Sequence, residues 1–203
     1  MAPRYPIPAT ACRMEDSIKR SRFIVSADHA PDMDSAKRFV ALIKEEFPDA
    51  THNCWAFAAG PPGDTAQVGM SDDGEPHGTA GRPMLNTLLH GEVGEIAVVV
   101  TRYFGGTKLG TGGLVRAYTS MVNCVLEGLV TKERVETAAL LVTIPYQAVT
   151  VFKRMLPGYE AEVTEEFFTE EAAFALVLPS EYLERFSEEL REMTDGRGRV
   201  EVK

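Results

Sequence analysis

The chain has 203 residues, 44% hydrophobic and 25% charged, with a formal net charge of −9. That balance excludes a wholly disordered chain and a fibrous repeat, and it allows one large domain or two small ones. No apolar run approaches the ~20 residues of a membrane span, and no basic-then-apolar leader opens the chain, so a cytoplasmic protein without a membrane partner is expected.

In chain order, Met1 to Pro6 carries two prolines and reads as a loose terminus. Ile18 to Ala27 alternates as a strand, with Phe23 and Val25 on one face and Ile24 on the other. Asp32 or Asp34 can cap a helix bearing Ala36, Phe39, Val40, Ile43 and Phe47, which Pro48 ends. Asn53 to Ala59 reads as a strand, Pro61 to Asp64 as a turn, and Gln67 to Ser71 as a returning strand. A helix is expected from Arg82 to His90, with Pro83 in its first turn. Glu95 to Thr101 is a buried strand rich in β-branched residues. Leu114 to Leu129 has helical spacing at Leu114, Ala117, Met121, Val125 and Leu129.

The remainder has a different order. Ala139 to Tyr146 reads as a strand, Ala148 to Leu156 as a short helix, and Glu160 to Phe168 with Ala172 to Leu178 as a hairpin. Ser180 can cap an acidic helix through Met193, and Arg199 to Lys203 can close as an edge strand. This β-α-β-β-α-β order is the split-βαβ, ferredoxin-like pattern. The boundary falls near Thr131 to Thr137. The expected fold is therefore α+β with two domains, residues 1–134 and 135–203.

Charge divides unevenly between them. Residues 1–135 hold 14 basic and 16 acidic side chains, whereas residues 136–203 hold 7 and 14. Nucleic-acid binders need a basic footprint, so any contact with RNA belongs to a local patch in the first two thirds. Cys12, Cys54 and Cys124 are odd in number and widely spaced. They read as free thiols, with neither a disulfide partner nor a cysteine-rich zinc site.

Thirteen of the 17 glycines lie between Gly60 and Gly113. They concentrate in two polar loops, Ser71 to Gly81 and Arg102 to Gly113, and each loop ends where a helix begins. Exposed amides and the positive end of the helix dipole suit such places to anions. Arg102, Lys108 and Arg116 add charge, and glycine lets a backbone approach a ligand closely. Neither loop is a Walker P-loop or a Rossmann fingerprint.

Read as whole strings, "ATHNCWAFAAG", "SDDGEPHGTAGRPML" and "VVVTRYFGGTKLGTGGLVRAY" closely resemble the signature of the IMPACT/YigZ family, in its bacterial two-domain form. The resemblance covers about residues 18–130, and the acidic tail fits the extra C-terminal domain of bacterial members. His77 and Thr107 depart from the pattern, which has a small and an aliphatic residue there. The resemblance implies an N-terminal domain similar to the second domain of ribosomal protein S5 and domain IV of elongation factor G. It implies a C-terminal domain similar to the ferredoxin-like domains of that factor. It also implies a link to translation control, since eukaryotic relatives act through a regulator of an initiation-factor kinase.

Together these readings lead to a noncatalytic, translation-associated binding module that recognises RNA, the ribosome, or a phosphate-bearing or translation-related protein. The candidate surface is Asp72, Asp73, Glu75, Gly78, Thr79, Gly81, Arg102, Tyr103, Gly105, Gly106, Lys108, Gly110, Gly112, Gly113 and Arg116. The cations could instead neutralise the three acids. Tyr103 and Phe104 either stack a base or anchor the core, the core role suiting Phe104 more than Tyr103. Asp72, Asp73 and Glu75 with His52 or His77 have metal-ligand chemistry, but turn capping is the ordinary role of such acids, and no metal or cofactor is expected. His52 and Cys54 share a strand face, as a nucleophile pair would, yet a buried strand cysteine is the plainer reading. Trp55 reads as packed between sheet and helix, and His29 and His90 as solvated. The acidic helix (Glu181, Glu184, Glu188, Glu189, Glu192) reads as a solvated face or a contact for a basic protein. Two alternatives stand beside this reading: an enzyme acting on a phosphorylated small molecule through Asp72, Asp73 or Glu75, and a protein–protein adaptor.

Overall fold

The computed structural model describes residues 4–203. They form two units, residues 5–134 and residues 135–203 together with Arg4. Met1 to Pro3, part of the terminus read as loose, lie outside the described residues.

The first unit is a five-stranded antiparallel sheet built from β2 (Cys12–Ile18), β3 (Ser21–His29), β4 (His52–Ala58), β5 (Val68–Ser71) and β6 (Ile96–Tyr103), in the order β2-β3-β6-β4-β5. Strand β6 is central and covered on both faces, which explains its near-continuous apolar run. Its Ile96, Val98 and Val100 face α2 (Gly81–Leu89) and α3 (Thr111–Gly128), where Met84, Leu88, Leu114, Met121 and Val125 complete the main core. Its Ala97 and Val99 face α1 (Met33–Glu46), where Ala36, Val40 and Ile43 pack. Asp32 caps α1, accepting the Ser35 amide at 2.6 Å. Trp55 stacks on Phe57 with 5.7 Å between ring centres, on the α1 side.

Several features differ from the sequence expectations. The expected first strand is the second half of a hairpin whose turn is Lys19-Arg20, both with left-handed backbone (φ 46° and 69°). Tyr5 and Pro6 are not loose: β1 (Tyr5–Pro8) pairs antiparallel with β7 (Thr131–Arg134) in a separate ribbon. Glu95 clasps this ribbon, accepting from the Tyr5 hydroxyl at 2.9 Å and Arg134 Nε at 3.1 Å. His29 Nε2 lies 2.7 Å from the same carboxylate, so His29 is a paired residue and not a solvated one. Burial opposes the Glu95 charge, but these bonds hold its carboxyl below the ordinary value.

The second unit contains β8 (Thr137–Ile144), α4 (Val149–Met155), β9 (Glu162–Phe168), β10 (Ala172–Pro179), α5 (Leu183–Met193) and β11 (Arg199–Val202). The sheet order β11-β8-β10-β9, antiparallel throughout, is that of the split-βαβ pattern. Its core joins Leu140, Val142 and Ile144 to Phe152, Phe174, Phe186 and Leu190. Ser180 does not cap α5; Ser180 to Tyr182 form a 3₁₀ turn without a side-chain cap. The acids expected on one helix are partly engaged: Glu181, in the 3₁₀ turn, pairs with Arg4 at 2.6 Å, and Glu189 of α5 accepts from the Tyr159 hydroxyl.

Candidate functional site

Strand periodicity places the first functional side chain. Arg102 continues the alternation of Val98 and Val100, so it points to the α2/α3 face, with Phe23 and His52 as its cross-strand neighbours. It is only 4% exposed. Nη1 donates to Glu75 at 2.5 Å and Nη2 to Ser21 Oγ at 3.2 Å. The guanidinium lies 5.4 Å from the Phe23 ring centre and 5.6 Å from that of Phe104. Glu75, 8% exposed, also accepts from the Tyr118 hydroxyl at 2.8 Å. A buried ion pair owes its place to such extra bonds, because desolvation offsets most of the Coulomb attraction.

The first loop is closed by its own acids. Asp72 accepts the amides of Gly78 at 2.7 Å, Ala80 at 3.0 Å and Gly81 at 2.8 Å, so a carboxylate of the chain occupies the N-terminus of α2. Asp73 accepts from Lys44 Nζ at 2.6 Å and the Asn53 amide at 2.7 Å. Burial works against both charges, yet these bonds hold both carboxyls below their ordinary values. The Thr79 hydroxyl donates to the Pro76 carbonyl at 2.6 Å. Gly81 lies so close to Ser71 that a Cβ would sit 2.8–2.9 Å from its backbone.

The second loop is open. Gly105 presses on the β2–β3 turn, where a Cβ would lie 1.7 Å from the Arg20 carbonyl oxygen. Gly106 and Gly112 face open space. Gly110 stands at the N-cap of α3 without a side-chain cap. The first helical hydrogen bond runs from the Leu114 amide to Gly110, leaving the amides of Thr111, Gly112 and Gly113 ahead of it. Gly113 packs against Leu109. Lys108 and Arg116 are exposed and, among the described residues, make no ion pair.

Between the loops lies a cleft of about 330 Å³ lined by Glu75, Pro76, Arg102, Phe104, Lys108, Leu109, Gly110, Thr111 and Leu114. A second hollow, which shares Leu109 with this cleft, is lined by Lys19, Gly113 and Arg116. The first turn of α3 thus borders two hollows, one lined by Lys108 and the other by Lys19 and Arg116. Of the sequence candidates, Glu75, Arg102, Lys108 and Gly110 meet in the cleft. Gly113 and Arg116 adjoin it. Asp72, Asp73, Gly78, Thr79 and Gly81 build its acidic neighbour instead. Tyr103 points elsewhere, donating to Asp49 at 2.9 Å beneath the Arg22 guanidinium.

Sequence reasoning missed several residues. Phe104, left between base stacking and a core role and absent from the candidate surface, is 46% exposed and lines the cleft; it follows the end of β6, where the sheet no longer covers it. Lys19 and Arg20 were hidden inside an apparent strand, because their turn lacks glycine, asparagine and proline. Tyr118 sits on the apolar stripe of α3, one position after Ala117. No pattern in the sequence pointed its hydroxyl at Glu75.

The nucleophile pair is not supported. Cys54 is fully buried, its Sγ lies 2.9 Å from the Asp72 carbonyl and 3.3 Å from the Tyr118 hydroxyl, and burial pushes its thiol up to about 12. His52 Nδ1 lies 2.9 Å from the Asp73 carbonyl. Among the described residues no group of three histidine, cysteine or acidic side chains is arranged to hold a metal ion. None of their helices is long and apolar enough to cross a membrane.

Comparison with known proteins gives this site its context. The Impact N-terminal domain matches residues 19–126, and a domain of unknown function, DUF1949, matches residues 142–197. An IMPACT family member of Haemophilus influenzae is 41% identical over 193 residues, covering 95% of this chain and 94% of that one. The IMPACT family member YigZ of Escherichia coli is 39% identical over 190 residues, covering 94% and 93%. A crystal structure described as that of a hypothetical protein is 37% identical, with a TM-score of 0.69 over 98% of this chain and 97% of its own. The cleft lies within the segment matched by the Impact N-terminal domain, and the chain belongs to the IMPACT family.

Proposed function

We propose that the first unit is a noncatalytic binding module that recognises RNA through phosphate, in the setting of translation. One observation carries this reading: the glycine-lined, uncapped N-terminus of α3 is flanked by Lys19, Lys108 and Arg116, three exposed cations without ion-pair partners among the described residues. Helix amides and unpaired cations are the two ingredients of phosphate recognition. They stand together in a chain that is otherwise acidic. A binding role draws support from the acids, since Asp72 and Asp73 spend their oxygens on amides and on Lys44.

The test is co-sedimentation with ribosomal subunits over a salt series, using the native protein and the Lys108→Glu/Arg116→Glu variant. Binding should fall steeply with salt in the native protein. The variant should bind more weakly and with a flatter salt dependence. Equal binding by a correctly folded variant removes this surface from consideration.

The cleft favours a second reading, an enzyme acting on a phosphorylated small molecule. Glu75 is the one acid of the three that lines it. Thermal shift against phosphorylated metabolites and divalent ions, followed by a turnover assay, separates the two. Metal-dependent turnover lost in Glu75→Gln would favour the enzyme.

A further inference from the structure

Two polar atoms of residues that line the cleft are left without hydrogen bonds by the protein. Arg102 Nε is buried and has no partner. Glu75 directs Oε1 to Arg102 and Tyr118, while Oε2 accepts no hydrogen bond and lies 3.8 Å from His52 Nε2. Both side chains are more than nine-tenths buried, and both line the same cleft. Buried polar groups are nearly always satisfied, and Arg102 Nε is the exception among the described residues. An unused donor on Arg102 and an unused acceptor on Glu75 suit a ligand edge that carries both an acceptor and a donor.

Phe104 adds a second requirement. Its ring is 46% exposed and borders the cleft. The Arg102 guanidinium lies against it, and among the described residues no second ring or cation covers it. An exposed aromatic face at a cationic site suits a planar π-system. The third requirement is anionic, set by Lys108 and the amides at the start of α3. The volume, about 330 Å³, lies at the small end of ligand sites and suits one monomer unit rather than a duplex.

A planar heterocycle with a donor–acceptor edge, joined to a phosphate, meets all three requirements. We infer that this cleft holds a single nucleotide with an unpaired base. The base stacks on Phe104 with its edge toward Glu75 and Arg102, and the phosphate lies at Lys108 and the α3 N-terminus. The inference rests on the phosphate-binding reading above and adds a base to it. The same chemistry is offered by a free nucleoside monophosphate and by one nucleotide of single-stranded RNA.

Calorimetry on the full chain at low salt tests it. The probes are the four nucleoside 5′-monophosphates, their nucleosides, inorganic phosphate, and single-stranded oligonucleotides of about five residues paired with abasic oligomers of the same length. At least one monophosphate should bind tighter than its nucleoside and than phosphate, or a base-bearing oligomer should bind tighter than its abasic counterpart. The first result names a free nucleotide as the source and the second names RNA. In either case Phe104→Ala should weaken the base-dependent part by about 5- to 100-fold, the worth of one stack, and Phe104→Trp should restore it. Circular dichroism and melting temperature confirm that both variants fold.

The inference is overturned if no monophosphate binds above inorganic phosphate and abasic oligomers match base-bearing ones. It is equally overturned if Phe104→Ala changes nothing. The phosphate reading survives both results provided that Lys108→Glu/Arg116→Glu still abolishes oligomer binding, and it falls if that variant binds normally.

Discussion

The two glycine-rich loops are alike in sequence and opposite in construction. Each delivers the chain to the start of a helix. In the first, Asp72 takes three amides at the start of α2, and Asp73 takes Lys44 and Asn53. In the second, Gly110 leaves α3 uncapped, and Lys108 and Arg116 have no ion-pair partner among the described residues. A helix N-terminus attracts an anion in both cases. The first loop meets that demand from within, whereas the second leaves it to the surroundings. Glycine content alone does not tell a binding loop from a structural one; what matters is whether an acid of the chain already serves the amides.

The largest expected break in this comparison is Arg102→Ala. It strands Glu75 among buried groups, and it should cost about 3–5 kcal/mol of stability, read from urea unfolding of the whole chain. A cost under about 1 kcal/mol would show that the pair does not hold the loops together. Asp72→Ala comes next, at about 1–3 kcal/mol for the amides it leaves unserved. The change should raise amide hydrogen exchange at Gly78, Ala80 and Gly81 while leaving Thr111 to Gly113 unchanged. Acid pH sharpens the contrast further. The Asp72 and Asp73 carboxyls lie below their ordinary values, so their stabilisation is complete above about pH 4 and is lost as pH falls through their lowered folded values. Asp73→Asn should flatten that acid limb, and an unaltered limb would show that Lys44 contributes nothing through Asp73. The smallest effect belongs to Gly112→Ala. A Cβ there meets open space, and the helix should gain about 0.4–1 kcal/mol. The same methyl should impede a ligand's approach to the α3 amides, so stability and oligonucleotide affinity should move in opposite directions.

Most of the fold was legible because its signals are local. The β-branched run of Ile96 to Val100, the Asp32 cap and the stripe on α3 each announce one element. The β-α-β-β-α-β order of the second unit follows from spacing alone. What escaped depends on distant partners or unusual turns. The Lys19-Arg20 turn adopts left-handed backbone with residues that do not advertise it. The β1–β7 ribbon joins two segments from opposite ends of the first unit. The candidate loops were legible as loops, and their family strings were specific. Their division of labour was not, because Asp72 reaching back to α2 and Tyr118 reaching across to Glu75 are tertiary facts. Phe104 stayed open between core and surface because residues beyond a strand's last pairing follow neither face.

The β1–β7 ribbon has a consequence for the newborn chain. Residues 5–8 are among the first of this unit to leave the ribosome, and their partners, residues 131–134, are the last. Ile7, buried in the finished unit, therefore waits without its ladder while everything between is translated. The five-stranded sheet can assemble in that interval, but its fastening arrives only at the end. A stalled or truncated product would carry an open apolar strand at its head, and a fusion placed tightly against Tyr5 would interfere with the step that completes the unit.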